Sequence, residues 1–287
     1  MGMSPTLLRP RQNLHPDAAS WASRVVANGG SVGSSLPAVN TFCKAIAAAG
    51  IRDRFYRLNL FCGASNASLD AVRTPLFRGP SLSGTQYGNT TDTNNLFVVG
   101  DYAETGTTGG LKGNGSTKYL DTGLAMTFLG TNQVHMFVSF NPEASELKAL
   151  LAARFNLAGS MAMECNYNGT TVNRPRVSLF STGVSSADHC SPVTGRTQYL
   201  INYDGSQPIL VLGRNVSLNH VNNAGAYSGT NTESFLVFAG TQTGTGVTAH
   251  SAQRIDAYSV GAAFTSAAQR TAFHDAMAAF RTALGRT

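Results

Sequence analysis

The second half of the chain repeats one local pattern, in which a short run of apolar and aromatic residues is followed by a cluster of Gly, Asn, Asp or Ser. Beyond residue 118, such runs cover 134–140, 149–155, 161–167, 177–180, 198–203, 209–212, 235–239 and 254–260. Short strands separated by turn residues are typical of a β-sandwich or barrel. The Asp204-Gly205 pair between two of the runs predicts a hairpin. The sequence therefore predicts a mostly β fold.

Three segments have a helical spacing of apolar residues instead. They are 16–28, 35–49 and 265–284. Pro16 suits a first helical turn, Ser34 or Ser35 can cap the second helix, and Gly50 and Gly285 stand where helices commonly end. The last segment has its apolar residues at spacings of 4, 3 and 4, which predicts a helix lying against the sheet.

Two further stretches predict strands, one well before residue 118 and one that spans it. Residues 55–61, FYRLNLF, are aromatic and partly alternating. In GLKGNGSTKYLDTGL, residues 110–124, we expect a strand with Tyr119 and Asp121 on one face and Leu120 on the other. The intervening region from 64 to 118 is rich in Gly, Ser, Thr and Asn, which favours ordered loops with short strands and leaves disorder as the alternative.

The net charge of +6 is concentrated near the N-terminus. Residues 1–80 hold nine Arg or Lys and three Asp residues, whereas residues 81–287 hold equal numbers of each sign. This asymmetry predicts a basic helical docking module at 1–80 that meets an acidic partner, followed by a β-sandwich domain at 81–287. The candidate docking surface consists of Arg9, Arg11, Arg52, Arg54 and Arg57, with a solvated edge at Arg52, Arg54 and Arg57 as the alternative.

Three segments resemble the concanavalin A-like jelly roll in its laminin-G-like form. GNGSTKYLDTG is similar to its first strand, TQYLINYDGSQPILVLGRNVSL to its central hairpin, and RIDAYSVGAAFTSAAQRTAFHDAMAAF to its last strand and closing helix. The N-terminal segments WASRVVANGGSV to AGIRDRFYRLNLFCG resemble the leader of jelly-roll proteins encoded by tailed bacteriophages. The resemblance implies a jelly-roll β-sandwich and a virion surface protein assembled in the bacterial cytoplasm.

The carboxylate pattern of the glycanases with this fold, Glu-x-Asp-x-x-Glu, is absent. Glu143 and Glu146 lie three apart in a predicted turn, whereas Glu164 and Glu233 each stand alone, and we interpret all four as surface carboxylates. The sequence also lacks a G-x-S-x-G nucleophile elbow and the ending of a phosphate-binding loop. We therefore expect no catalytic residues and no enzymatic activity.

The cysteines and acidic residues do not form a metal-binding pattern. Cys43, Cys62, Cys165 and Cys190 are far apart, which predicts buried free thiols and leaves a Cys43–Cys62 bridge as the alternative. Asp188, His189 and Cys190 are adjacent and could ligate only if Cys165 joined them. We expect no cofactor and leave open a structural calcium ion near Asp121, Asp188 or Asp204.

Two functions from different classes follow from these patterns. The first is a non-enzymatic virion protein, with capsid decoration preferred over a tail or fibre role because no heptad stem is visible. Its partners would be other virion proteins and further copies of itself, for example in a trimer, with no role for nucleic acid. The second is a carbohydrate-binding adhesin, which requires an exposed aromatic side chain beside Asn or Asp. Trp21, the single tryptophan, is instead expected in the core.

The mean hydropathy of −0.07 and the absence of a long apolar run argue against a membrane protein.

Overall fold

The computed structural model describes most of the chain outside its N-terminal arm and several loops. The described residues are 14–64, 69–129, 133–143, 148–154, 160–165, 176–181, 195–205, 210–213, 232–242 and 246–286. The α-helices are α1 (Pro16–Ala27), α2 (Leu36–Ala48), α3 (Asp70–Arg73) and α4 (Ala267–Ala283), with 3-10 turns at Arg52–Arg54, Val99–Asp101 and Met126–Leu129. The strands are β1 (Phe55–Asn59), β2 (Thr93–Asn95), β3 (Tyr102–Ala103), β4 (Gly110–Lys112), β5 (Tyr119–Ala125), β6 (Val134–Asn141), β7 (Lys148–Arg154), β8 (Ser160–Cys165), β9 (Arg176–Ser181), β10 (Thr197–Tyr203), β11 (Leu210–Gly213), β12 (Ser234–Val237), β13 (Gly240–Gln242), β14 (Gly246–Thr248) and β15 (Arg254–Gly261).

Two antiparallel sheets face each other and confirm the predicted β-sandwich. The first has the order β11-β10-β6-β15-β4-β3, with β1 also paired to β15, and the second has the order β2-β5-β12-β7-β8-β9. A continuous apolar core lies between them, with Val138 and Phe140 from the first sheet and Leu120 and Phe235 from the second among its members. A two-stranded hairpin, β13-β14, adds a third, smaller sheet among the described residues.

The outer face of the first sheet is covered by helices, which form a third layer. Phe137, Leu200 and Ala257 of this face share a second apolar core with α1, α2 and α4. Trp21 of α1 lies in that core, 1% exposed, as the sequence predicted, and its Nε1 donates to the carbonyl of Thr74 at 3.1 Å. The helical stripe predicted in the last segment also packs here through Phe273 and its neighbours.

The N-terminal part is built into the sandwich through β1. This strand pairs with β15, which places residues 55–59 inside the sheet although they precede the predicted division at residue 80. The ring of Phe55 contacts Phe77, Phe264 and Phe273 at centroid distances of 5.4, 5.9 and 5.1 Å. Segments before and after residue 80 therefore share one core.

Local sequence signals account for several element ends. Ser266 caps α4 by accepting from the backbone N–H of Gln269, and Gly50 and Gly285 adopt positive φ after α2 and α4. Ser35 occupies the N-cap position of α2 as predicted, but its side chain makes no capping bond; its hydroxyl instead donates to Glu104 and accepts from the N–H of Gly63. These two hydrogen bonds connect the start of α2 to other parts of the chain rather than to its own first turn.

The predicted facing of the strand at 119–125 is confirmed. Leu120 and Leu124 are buried, whereas Tyr119, Asp121 and Gly123 are half-buried on the opposite face. The hairpin predicted at Asp204-Gly205 is also confirmed as an antiparallel pair of β10 and β11. Both features follow from local patterns, the facing from the two-residue period of a strand and the hairpin from its Asp-Gly turn.

Candidate functional site

The sequence placed Arg57 on a docking surface, and this prediction is wrong because its side chain is fully buried. Its Nη2 donates to Asp92 Oδ1 at 2.6 Å, and Nη1 donates to the carbonyls of Tyr87 and Asn89 at 3.1 and 3.0 Å. The hydroxyl of Tyr258 donates to the same carboxylate at 2.7 Å. Burial disfavours the charged form of Arg57, but Tyr258 and Asp92 outweigh it and raise its pKa. Arg57 thus joins β1, the 87–92 segment and β15.

The other predicted docking arginines have different surroundings. Arg52 forms an ion pair with Asp17 at 3.0 Å and lies 3.8 Å above the ring centroid of Phe77. Arg54 is partly exposed and lies 3.5 Å from Asp53. Arg9 and Arg11 lie outside the described residues. The structure therefore does not bring the five arginines onto one described surface.

Two more buried arginines fasten the C-terminal part of the chain. Arg286 donates to the carbonyls of Glu104 and Phe61 at 2.9 and 2.8 Å. Arg196 forms a buried ion pair with Asp256 at 2.9 Å. Neither contact was visible in the sequence, because each partner lies 60 or more residues away.

The candidate glutamates do not form a catalytic pair in the described part of the chain. Glu143 bridges Lys112 at 2.8 Å and Arg254 at 2.6 Å. Burial works against its charged form, but the hydrogen bonds from these two cations lower the pKa of Glu143. Glu164 is buried on β8, which corrects its interpretation as a surface carboxylate, and Glu146 lies outside the described residues. Glu233 is half-buried beside the start of β12.

The metal-binding candidates are only partly covered by the structure. Among the described residues, no group of three or more His, Cys, Asp or Glu could hold a metal ion. Asp121 accepts from the N–H of Gly123 at 2.8 Å, while Asp188, His189 and Cys190 lie outside the described residues.

The described thiols are buried, as predicted. Cys43 and Cys62 are both free, so the alternative of a bridge between them is wrong. Burial raises the pKa of both thiols, to about 12 for Cys62. The side chains of Cys165 and Cys190 are not among those that the structure describes.

An aromatic pair on the surface was missed by the sequence analysis. The rings of Tyr56 and Tyr87 meet edge to face, with centroids 5.2 Å apart and planes inclined by 66°. Both side chains are half-buried, and burial followed by the neighbouring Tyr87 raises the pKa of Tyr56. Arg54 and Asp53 also act electrostatically on Tyr56. We call Asp53, Arg54, Tyr56 and Tyr87 the tyrosine surface.

A β-bulge that the sequence did not reveal places Tyr56 on this surface. Tyr56 interrupts an otherwise apolar or buried strand, and the register with β15 shifts between Phe55 and Arg57, which makes Tyr56 the extra residue of a β-bulge. Such bulges redirect a side chain away from the regular face of a sheet. The partnership with Tyr87 depends on the 78–92 segment and was not readable from spacing.

No helix of the described part of the chain is long and apolar enough to cross a membrane. No family model and no curated protein sequence matches the chain.

Several solved structures share a limited likeness with the chain. Domain 4 of the arabinanase AbnA from Geobacillus stearothermophilus, in complex with arabinotriose, aligns with 69% of this chain and 86% of that domain, with 12% identity and a TM-score of 0.40. A Trypanosoma rangeli sialidase mutant aligns with 84% of this chain but 39% of its own, at 14% identity and a TM-score of 0.46. The receptor-binding domain of botulinum neurotoxin C/D mosaic serotype aligns with 81% and 52%, at 8% identity and a TM-score of 0.48.

Proposed function

We propose that the protein is a non-enzymatic structural protein on the outer surface of a tailed-phage particle. The observation that supports a structural role is the use of the charged side chains. Asp92, Asp256 and Glu143 each pair with an arginine that fastens distant parts of the fold. A hydrolase active site needs carboxylates that face a substrate. Carboxylates that are held in internal ion pairs are better suited to stabilising a rigid scaffold than to catalysis.

Capsid decoration is preferred over a tail or fibre role within this proposal. The preference rests on the sequence, which contains no heptads from which a trimeric fibre stem would be built. The partners are then the major capsid protein and further copies of this chain in a symmetric, for example trimeric, assembly. The protein would be made in the bacterial cytoplasm and be carried on the finished particle.

A carbohydrate-binding adhesin is the second candidate, and the tyrosine surface favours it. Ligand sites commonly combine aromatic side chains with a few polar groups, and Tyr56 pairs with Tyr87 while Arg54 and Asp53 act electrostatically on Tyr56. The two candidates are compatible, since a surface protein of a particle can also bind a glycan of its host.

Quantitative mass spectrometry of gradient-purified particles tests the proposal. We expect the protein to be present at a fixed copy number relative to the major capsid protein, and to remain after repeated purification. A fixed copy number relative to the tail proteins would instead indicate that the protein belongs to the tail. Absence from purified particles would reject the structural role altogether.

A further inference from the structure

The segment that precedes β2 is held in place by arginine side chains. Arg24 donates from Nη1 to the carbonyl of Pro75 at 2.7 Å and from Nη2 to the carbonyl of Leu76 at 2.9 Å. Arg78 donates from Nη2 to the carbonyl of Gly88 at 3.1 Å. Arg24 thus binds the backbone just before Arg78, and both side chains are half-buried. We call Arg24 and Arg78 the arginine site.

The other arginines of this region each have a carboxylate partner. The ion pairs are Arg52–Asp17, Arg54–Asp53, Arg57–Asp92 and Arg73–Asp70. Neither Arg24 nor Arg78 has such a partner among the described residues, and carbonyl oxygens carry no net charge to offset theirs. The stretches 1–13 and 65–68, which precede α1 and α3 in the chain, contain no Asp or Glu. The arginine site therefore carries two uncompensated positive charges.

The surroundings of both side chains disfavour a positive charge. Burial, followed by the charge of Arg78, lowers the pKa of Arg24 to about 10. Arg57 and Arg52 act on Arg24 in the same direction, whereas Asp17 opposes them. Burial is also the main cause that lowers the pKa of Arg78. Guanidinium groups nevertheless stay protonated at neutral pH, so the repulsion persists until an anion offsets it.

The guanidinium of Arg78 also has donors left for a ligand. A guanidinium carries five N–H groups, and Arg78 uses one of them for Gly88. Its Nε is buried and has no acceptor in the part of the chain that the structure describes. A buried donor without an acceptor costs free energy. Water would supply an acceptor alone, whereas an oxyanion supplies an acceptor and a counter-charge together.

We propose that Arg24 and Arg78 form a binding site for an oxyanion of the carboxylate or phosphate type. Arginine suits such ligands, because two N–H groups of its planar guanidinium match two oxygens of the anion. The oxyanion is either free phosphate or an acidic side chain of a partner protein, and the experiment below separates these two sources. The inference goes beyond the proposed function and does not depend on the location of the protein.

Calorimetry with the full chain measures binding of inorganic phosphate and of a blocked peptide of alternating Glu and Ala residues, at one constant ionic strength. The same peptide with Gln in place of Glu is the uncharged control. The variants are Arg78→Gln, Arg78→Lys and Arg54→Gln. Arg54 is a matched control because it is also half-buried and positively charged, but has Asp53 3.5 Å away. Thermal unfolding of each variant checks that the fold is retained.

We expect the native chain to bind phosphate or the acidic peptide, and Arg78→Gln to weaken that binding about tenfold or more. Arg78→Lys should weaken it less, because the charge remains, and Arg54→Gln should change it by less than about twofold. Binding of phosphate alone would identify a free anion, and binding of the peptide a protein partner. Equal losses in Arg54→Gln and Arg78→Gln would overturn the site, since the anion would then respond to overall charge. Binding of neither ligand would also overturn the inference and leave the virion proposal standing.

Discussion

The guanidinium of Arg57 lies 2.6 Å from the carboxylate of Asp92, and both side chains are fully buried. The pair joins a strand near the N-terminus to a loop that precedes the second sheet, and Tyr258 adds the last strand of the first sheet. Because the same guanidinium also holds the backbone below Tyr87, one buried charge connects the stability of the fold with its surface aromatic pair.

We expect Asp92→Ala to lower the free energy of unfolding by about 3–5 kcal/mol, because it leaves Arg57 charged and uncompensated in the interior. Equilibrium unfolding in urea measures the loss. Lys112→Ala is the control, since Lys112 pairs with Glu143 while its side chain remains 47% exposed, and such surface pairs contribute less than about 1 kcal/mol. Equal effects of the two substitutions would show that the Asp92 pair is not a structural anchor.

The conformation of Gly88 gives a second test. An alanine there would have both a positive φ and a Cβ only 2.5 Å from the carbonyl oxygen of Thr122. Gly106 has a similar φ of +77°, but a Cβ there would meet nothing within 4 Å. We expect Gly106→Ala to cost about 1 kcal/mol from backbone strain alone, and Gly88→Ala to cost clearly more. Thermal unfolding of the two variants should therefore separate strain from steric overlap, and similar values would contradict the close packing.

Acid should destabilise the protein through His135. Burial, which is the main cause, lowers the pKa of His135 to about 4, while its Nδ1 lies 2.7 Å from the carbonyl of Ala262. A folded-state pKa below the unfolded value means that the unfolded chain binds the proton first. The stabilisation is then present above pH 6.5 and is lost as the pH falls toward 4.

Between pH 7 and 5 this single group should remove about 2 kcal/mol from the free energy of unfolding. His135→Gln should flatten that dependence, whereas His250→Gln, at a half-buried position, should change it less. Urea unfolding at a series of pH values measures both. A native protein whose stability is unchanged from pH 7 to 5 would refute the assignment to a buried neutral imidazole.

Truncation distinguishes a separable N-terminal module from an integral one. A chain that starts at residue 63 lacks β1 and the Phe55 ring contacts, and it should not form a cooperative fold. A chain that starts at residue 14 keeps every described contact and should unfold as the full chain does. Circular dichroism and limited proteolysis report both outcomes, and a stable sandwich from residue 63 onward would show that the helical layer is dispensable.

The buried thiols should be unreactive in the native state. In a background with Cys165→Ser and Cys190→Ser, we expect a thiol reagent to label Cys43 and Cys62 only after denaturant is added. Both thiols are at most 2% exposed, and their raised pKa values leave little thiolate at neutral pH. Rapid labelling of the folded chain would contradict this burial.

The sequence was most informative where structure is local. The alternation of residues in β5 and the apolar spacing in α4 show which face of each element is buried, because strands and helices have fixed periods. Strands of two or three residues, such as β3 and β13, were not predicted individually, because their pairing depends on distant partners rather than on their own composition.

The candidate site was predictable to a smaller extent. Arg57 follows Tyr56 on a strand, and simple alternation gives no reason to bury the arginine and expose the tyrosine. The β-bulge changes the facing, and the partner Asp92 lies 35 residues away in a loop. The prediction of an exposed basic surface is wrong in this respect, because several arginines of this region bind carboxylates or backbone carbonyls inside the fold.

Immunogold electron microscopy with an antibody against the folded chain is the most direct test of the proposal that the protein is a surface component of a phage particle. We expect gold label on the outer face of intact particles, distributed over the head. Label that is absent from intact particles, or that appears only after they are disrupted, would contradict it.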